Sequence, residues 1–244
     1  MLDQGAIIRR DCSLFFSIGH EAKSPKFPSV SSQINKLRSL LKCPSPPHAS
    51  YASAANGSLP ITIRTDSKDV IANMIALKYE IPALDIIIHG GGEANLVAHE
   101  LAAANISVIL APFRCSHLTW EVRNCLVGPP LNDATGPDVL LDAGVKLGIG
   151  IWDHRDRWVV NALWEASWLM RWRVDVSRER RNELAVDLVT RNMREIFGLP
   201  IQDEREFVVY DGDPLEFGSS IALIVEQGEI QRCWPDVQEE KWVY

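Results

Sequence analysis

The chain has 244 residues, 46% hydrophobic and 23% charged, which is enough to bury the core of one large domain or of one and a half. Its net charge of −7, from 32 acidic and 25 basic side chains, gives no broad attraction to phosphate backbones and argues against a nucleic-acid partner. No run approaches the roughly 20 apolar residues of a membrane helix. The opening "MLDQGAIIRRDCSLFF" is charged too early for a signal peptide, so a cytoplasmic location without membrane contact is expected. Cys12, Cys43, Cys115, Cys125 and Cys233 are odd in number and lack a C-x-x-C pair. They predict reduced, mostly buried thiols rather than a disulfide framework or a zinc ribbon.

Residues 1–58 are rich in Ser and Pro, with one short helical pattern around Ile34 to Leu41, and read as a poorly ordered lead-in. From residue 59 the pattern becomes regular. "LPITIRT" predicts a strand and "SKDVIANMIALKYE" a helix with Ser67 as its N-cap; "LDIIIHG" is a second strand and "EANLVAHELAAAN" a second helix. "ISVILAP", the helix "GPDVLLDAG" and the strand "VKLGIGI" follow, then two amphipathic helices at roughly 156–172 and 177–196. Strands that are apolar on both faces and alternate with helices indicate a parallel sheet covered by helices, here with four β/α units. After Gly198-Leu199-Pro200 come short β segments broken by turn dipeptides, which suggest a small β appendage.

The run "IIIHGGGEANLVAHEL" invites two functional readings. A phosphate loop fails, because neither G-x-G-x-x-G nor G-x-x-x-x-G-K-[ST] is present. An oxyanion loop of the α/β-hydrolase type fails for want of G-x-S-x-G. The glycines are then expected to let a strand end pack tightly under a helix. His89 ends the second strand and Asp153 the fourth, the positions where β/α barrels place catalytic groups. Trp164, Trp168 and Trp172 share i, i+4 spacing and predict one buried helix face. Trp152, which precedes Asp153, is the candidate for a substrate wall.

The ordered series "LPITIRTDSKDVIA", "HGGGEANLVAHELAAANISVILAP", "LVGPPL", "LLDAGVKLGIGI", "NALWEASW", "LVTRNMREIFGL" and "EFVVYDGDPLEFGSSIALIVEQGEI" resembles the C-terminal half of a metal-dependent amidohydrolase of the imidazolonepropionase-like, fungal branch. The resemblance covers about residues 59 to 230. It implies an α/β fold, a partial (β/α)8 TIM-type barrel of strands five to eight over 59–200, with a small β-sandwich remnant over 201–244. It also implies one or two divalent metals, zinc foremost, held by an H-x-H on strand one, a Lys or Glu on strand four, His on strands five and six, and Asp on strand eight. Such a set lowers the pKa of a bound water towards 7 while the Asp takes its proton.

On this alignment Asp153 falls at the strand-eight Asp and His89 near the strand-six ligand, so both are expected metal ligands, with Asp153 also the catalytic group. Strand five departs from the pattern. "ITIRTDS" places Arg64 and Asp66 where related sequences carry His, and a permanently protonated guanidinium cannot coordinate a cation. The six His, at 20, 48, 89, 99, 117 and 154, form no H-x-H. His117 and His154 could be recruited as further ligands, yet His117 lies in the loop "PFRCSHLTW" and the simplest reading of His154 is a solvated neighbour of Arg155 and Asp156. Two protein ligands fall short of the three that a catalytic zinc takes, so metal is expected to be weak or absent. The expected activity is hydrolysis of C–N bonds in non-peptide or cyclic amides by a truncated and impaired member. A non-catalytic remnant or binding module is the alternative. The implied partners are a small-molecule substrate and either a second copy or a complementing half-barrel.

Overall fold

The computed structural model describes residues 11–115, 119–150, 161–200 and 205–233. The chain forms two compact units, residues 1–158 and 159–244. In the first, five strands lie parallel in chain order: β1 (Leu14–Ser17), β2 (Ile61–Thr65), β3 (Ile86–Gly90), β4 (Ser107–Leu110) and β5 (Leu147–Ile149). Neighbouring parallel strands need crossovers. Helices supply them: α1 (Val30–Leu41) and α2 (Ala49–Ala55), then α3 (Lys68–Glu80), α4 (Ala98–Ala103) and α5 (Gly136–Asp142).

Four of these five helices, α1, α2, α3 and α5, start where the sequence offers their backbone N–H groups a side-chain acceptor. Ser67 caps α3 by accepting from Asp69 N–H, as its sequence predicts. Thr135 and Asp138 form a reciprocal capping box on α5, and Ser29 and Ser32 form another on α1.

Side chains alternate along each strand, and in-register residues of parallel neighbours share a face. Phe16, Ile63, Ile88, Val108 and Leu147 make one row in register. This face carries helices: Phe16 meets Tyr51 of α2 with ring centroids 6.4 Å apart. Ser17, Arg64, His89, Ile109 and Gly148 make a row on the opposite, more polar face.

Residues 11–58 therefore correct the expected lead-in. β1 pairs with β2 over four residues, and α1 buries Ile34, Leu37 and Leu41. The signal was weak because the strand is short and the Ser/Pro content lies in the links between elements. A second correction concerns the thiols, since Cys115 and Cys125 form a disulfide across ten residues. No spacing rule links them. The loop that follows β4 brings them together in space.

The second unit holds α6 (Ala162–Met170), α7 (Arg178–Val189), α8 (Arg191–Ile196) and an antiparallel sheet of β6 (Phe207–Asp211), β7 (Ser220–Glu226) and β8 (Glu229–Cys233). The helix expected over 177–196 is broken at Thr190, whose φ of −124° and ψ of −89° leave the helical region. Gln227 and Gly228, both at positive φ, form the two-residue turn between β7 and β8. The tryptophan stripe is also corrected. Ala166, Leu169 and Met170 form the buried side of α6, whereas Trp164 and Trp172 are 43% and 38% exposed. Trp172 lies beyond the end of α6, so the i, i+4 relation does not extend to it. Among the described residues, no helix is long and apolar enough to cross a membrane.

Leu37 is 3% exposed. Leu37→Ala is expected to cost about 2–5 kcal/mol in denaturant unfolding, as for a core leucine. A loss below about 0.5 kcal/mol, the scale of surface changes, would mean that residues 30–41 lie outside the core.

Candidate functional site

The polar groups gather at the C-terminal ends of β1 to β3. Arg64 and His89 are direct register partners on β2 and β3, and their side chains share a face. The His89 Nδ1 is buried and has no hydrogen-bond partner among the described residues. Its Nε2 lies beside Gly150, where an added Cβ would sit 3.6 Å away. Burial, and then the positive charge of Arg64, hold the imidazole below its usual pKa, so His89 is neutral near pH 7.

Asp66 follows β2 and is 8% exposed. Its Oδ1 accepts the Gly92 N–H at 2.9 Å, and its carbonyl oxygen accepts the Glu93 N–H at 2.9 Å. Burial pushes its carboxyl up to about 6, reinforced by Glu121 and Glu21 and opposed by the Gly92 hydrogen bond and Arg64. The Gly90-Gly91-Gly92 run has the role expected of it, close packing at a strand end. Gly90 and Gly91 have φ of 112° and 72°, and a Cβ on Gly90 would lie 2.8 Å from the Thr65 carbonyl oxygen. The Gly91 N–H goes to that same oxygen at 2.8 Å. The N–H groups of this loop are thus spent inside the fold and do not form an anion cradle.

Buried Glu93 ties three segments together. Its carboxylate accepts the Lys68 N–H at the start of α3 at 3.2 Å and the Asn124 side-chain amide at 2.6 Å. Glu121 accepts the His20 N–H at 3.2 Å, and Gln33 pairs with both backbone groups of Gly19 at 3.0 and 3.2 Å. The loops after β1, β3 and β4 are held as one rim. A cavity of about 30 Å3, bounded by Gly91, Gly92, Val122 and the Cys115–Cys125 disulfide, lies behind this rim. It has room for about one water and none for a substrate.

Of the residues singled out in the sequence, the structure brings His89 together with Arg64 and puts Asp66 near the Arg64 charge. Trp152, Asp153 and His154 lie outside the described residues, as does His117. Among the described residues, no group of three His, Cys, Asp or Glu is placed to hold a metal ion. Among the described residues alone, the donor set does not complete a site for a divalent cation. One neutral imidazole stands next to a fixed positive charge, and the Asp66 Oδ1 is already committed to Gly92. Sequence reasoning missed Glu93, Glu121 and Asn124, whose partners lie 25 to 101 positions away. The only trace of Glu93 was an acidic residue directly after three glycines.

The Asp66 carboxyl binds its proton more tightly in the folded than in the unfolded chain. Its ionisation therefore lowers stability as pH rises from about 4 to about 6, by at most about 3 kcal/mol for a shift of roughly two units. Asp66→Asn keeps the acceptor for Gly92 and removes the charge. It should raise the melting temperature at pH 7.5 and leave it nearly unchanged at pH 4. Equal effects at both pH values would contradict the raised carboxyl.

Over 115 residues the chain is 44% identical to the amidohydrolase tasK of Hapsidospora irregularis, a stretch that is 47% of this chain and 11% of that protein. Its fold resembles the crystal structure of an amidohydrolase from Thermotoga maritima, with a TM-score of 0.71 and 17% identity over 93% of this chain and 64% of that one. It also resembles a prolidase complexed with N-methylphosphonate-L-proline, with a TM-score of 0.51 and 16% identity over 82% of this chain and 49% of the other. The chain spans less than two thirds of the length of each of these proteins. It matches no protein-family model. The chain is thus similar in sequence to an amidohydrolase over nearly half its length, and over almost all of its length its fold resembles that of another.

Proposed function

We propose that β2 to β5 correspond to strands five to eight of an amidohydrolase-type (β/α)8 barrel, with β1 standing as strand four, and that β6 to β8 are part of its β-sandwich. On this reading the chain is a hydrolase of C–N bonds in non-peptide or cyclic amides, weakened in any metal-dependent step. The observation that carries the weakening is Arg64 beside His89. A guanidinium donates hydrogen bonds only, and its charge opposes a cation at the neighbouring imidazole. His89 and Asp153 would supply two ligands for a zinc ion, one fewer than the usual catalytic set. Asp153 would also serve as general base, and Trp152 would line the substrate pocket. The same Arg64 favours the second reading, a binding module that keeps the fold without the chemistry.

Metal content after dialysis, together with hydrolysis of a cyclic amide, separates the readings. The weakened hydrolase should retain well under one zinc per chain and turn over slowly, with turnover lost in Asp153→Asn and His89→Ala. No turnover by the unaltered protein gives the case to the binding module. One zinc per chain surviving dialysis, with Asp153-dependent hydrolysis, would overturn the weakening.

The sheet suggests how the chain associates. Among the described residues, β1 and β5 each pair on one side only, and unpaired strand edges recruit further strands. We infer that the chain pairs with a second copy or with a complementing half-barrel. Light scattering at micromolar concentration should give at least twice the chain mass for the protein alone, or for its mixture with such a half. A monomer that melts cooperatively and stays monomeric in the mixture would count against both.

A further inference from the structure

The connection from β4 to α5 runs from Leu110 to Gly136, and within it one covalent bond, Cys115 to Cys125, spans ten positions. Both cysteines are partly exposed, so a small thiol can reach their sulfurs. Exposed disulfides are the ones most readily reduced. Cys12 and Cys43 form no disulfide among the described residues.

The bond anchors a stretch whose contacts are specific. Cys125 donates its N–H to the Val122 carbonyl oxygen at 3.2 Å, and Val122, 5% exposed, packs on Gly92. Asn124, directly before Cys125, reaches the Glu93 carboxylate at 2.6 Å, and Glu121 accepts the His20 N–H at 3.2 Å. Glu93 in turn accepts the Lys68 N–H, and Gly92 donates to Asp66. Residues 121–125 thus clamp the segment after β1, the glycine run and the start of α3. The disulfide ties this clamp back to the residues that leave β4. The cavity of about 30 Å3 is lined by both cysteines. Two thiols cannot stay at bonding distance, and this space lets their sulfurs part.

We propose that Cys115 and Cys125 form a reversible thiol–disulfide switch, worked by small dithiols and disulfides, that sets how firmly the rim over the strand ends is held. In reduction, one thiolate of a dithiol attacks the Sγ of either cysteine and releases the other as a thiolate. The second thiol of the reductant then displaces the first cysteine. Two electrons and two protons pass to the pair, which ends as two thiols, and the reductant leaves as its cyclic disulfide. A small disulfide reverses the exchange. Opening the bond returns the ring to an open loop, with the chain entropy that closure had removed. The hydrogen bonds of Asn124 to Glu93 and of Glu121 to His20 then break more often, and the rim opens locally. The effect on turnover rests on the hydrolase reading, whereas the effect on the rim does not.

The experiment equilibrates the full chain in mixtures of reduced and oxidised dithiothreitol, alkylates the thiols and locates them by peptide mass spectrometry. Reduction under native conditions should add two alkylatable thiols, at 115 and 125, in one step that oxidised glutathione reverses. Hydrogen exchange is then compared between the two states. The amides of His20, Lys68 and Gly92 should exchange about tenfold faster after reduction, with those of β2 and β3 unchanged. Cys115→Ser with Cys125→Ser should exchange like the reduced chain whatever the mixture, and Cys43→Ser like the unaltered one. Should the double variant fail to melt cooperatively, the reduced unaltered chain carries the comparison. A pair that is never oxidised, a bond that opens only in denaturant, or equal exchange at His20, Lys68 and Gly92 in both states would overturn the switch. Hydrolysis of a cyclic amide is followed in parallel. Absence of turnover in both states sinks the hydrolase reading and leaves the switch standing, whereas equal turnover with equal exchange does the reverse.

Discussion

The parallel pairing of β2 with β3 is the constraint on which the rest of the first unit depends. Its register runs Ile61 to Ile86, Ile63 to Ile88 and Arg64 to His89. Side chains alternate with a period of two, so a slip of either strand by one residue would carry its polar side chain, Arg64 or His89, to the helix-covered face and its isoleucine, Ile63 or Ile88, to the other. Ile63 and Ile88 are fully buried, and burying a guanidinium in their place without a partner would cost several kcal/mol. The apolar face thus fixes the register. The register then places the polar row at the mouth of the sheet, with no further information needed.

Around that mouth, buried polar side chains replace what a longer apolar core would do. Glu93, Asp66 and Gln33 are each less than a tenth exposed, and each accepts a backbone N–H from a segment distant in the chain. An unmade hydrogen bond at such a place costs about 1–3 kcal/mol, so the loops hold one arrangement relative to the strands. The glycine run belongs to the same network, because Gly92 can reach Asp66 only where no Cβ crowds Val122.

Much of this was legible in the sequence. The strands of the parallel sheet from residue 61 onward, the cap at Ser67 and the structural role of the three glycines follow from periodicity and local chemistry. The edge strand at Leu14–Ser17 did not, because four residues carry too little periodicity and its Ser/Pro-rich surroundings read as loop. His89 was legible as a strand-end imidazole, and Arg64 as a departure from a ligand position. What could not be read was the company they keep. The N–H groups held by Asp66 and Glu93, the hold of Glu121 on His20 and the disulfide are all set by folding between distant segments. The tryptophan stripe misled because i, i+4 spacing has meaning only while the helix lasts, and α6 ends at Met170.

The Cys115–Cys125 bond closes part of the segment between β4 and α5, residues 115–125, into a covalent ring. The ring carries Glu121 and Val122, which touch the segment after β1 and the glycine run. A single backbone cut inside the ring would therefore leave both fragments joined and the rim still anchored at each cysteine. The two pieces would separate only when a thiol reductant opened the sulfur link, so the ring couples the integrity of the polypeptide at this point to the redox state of its surroundings.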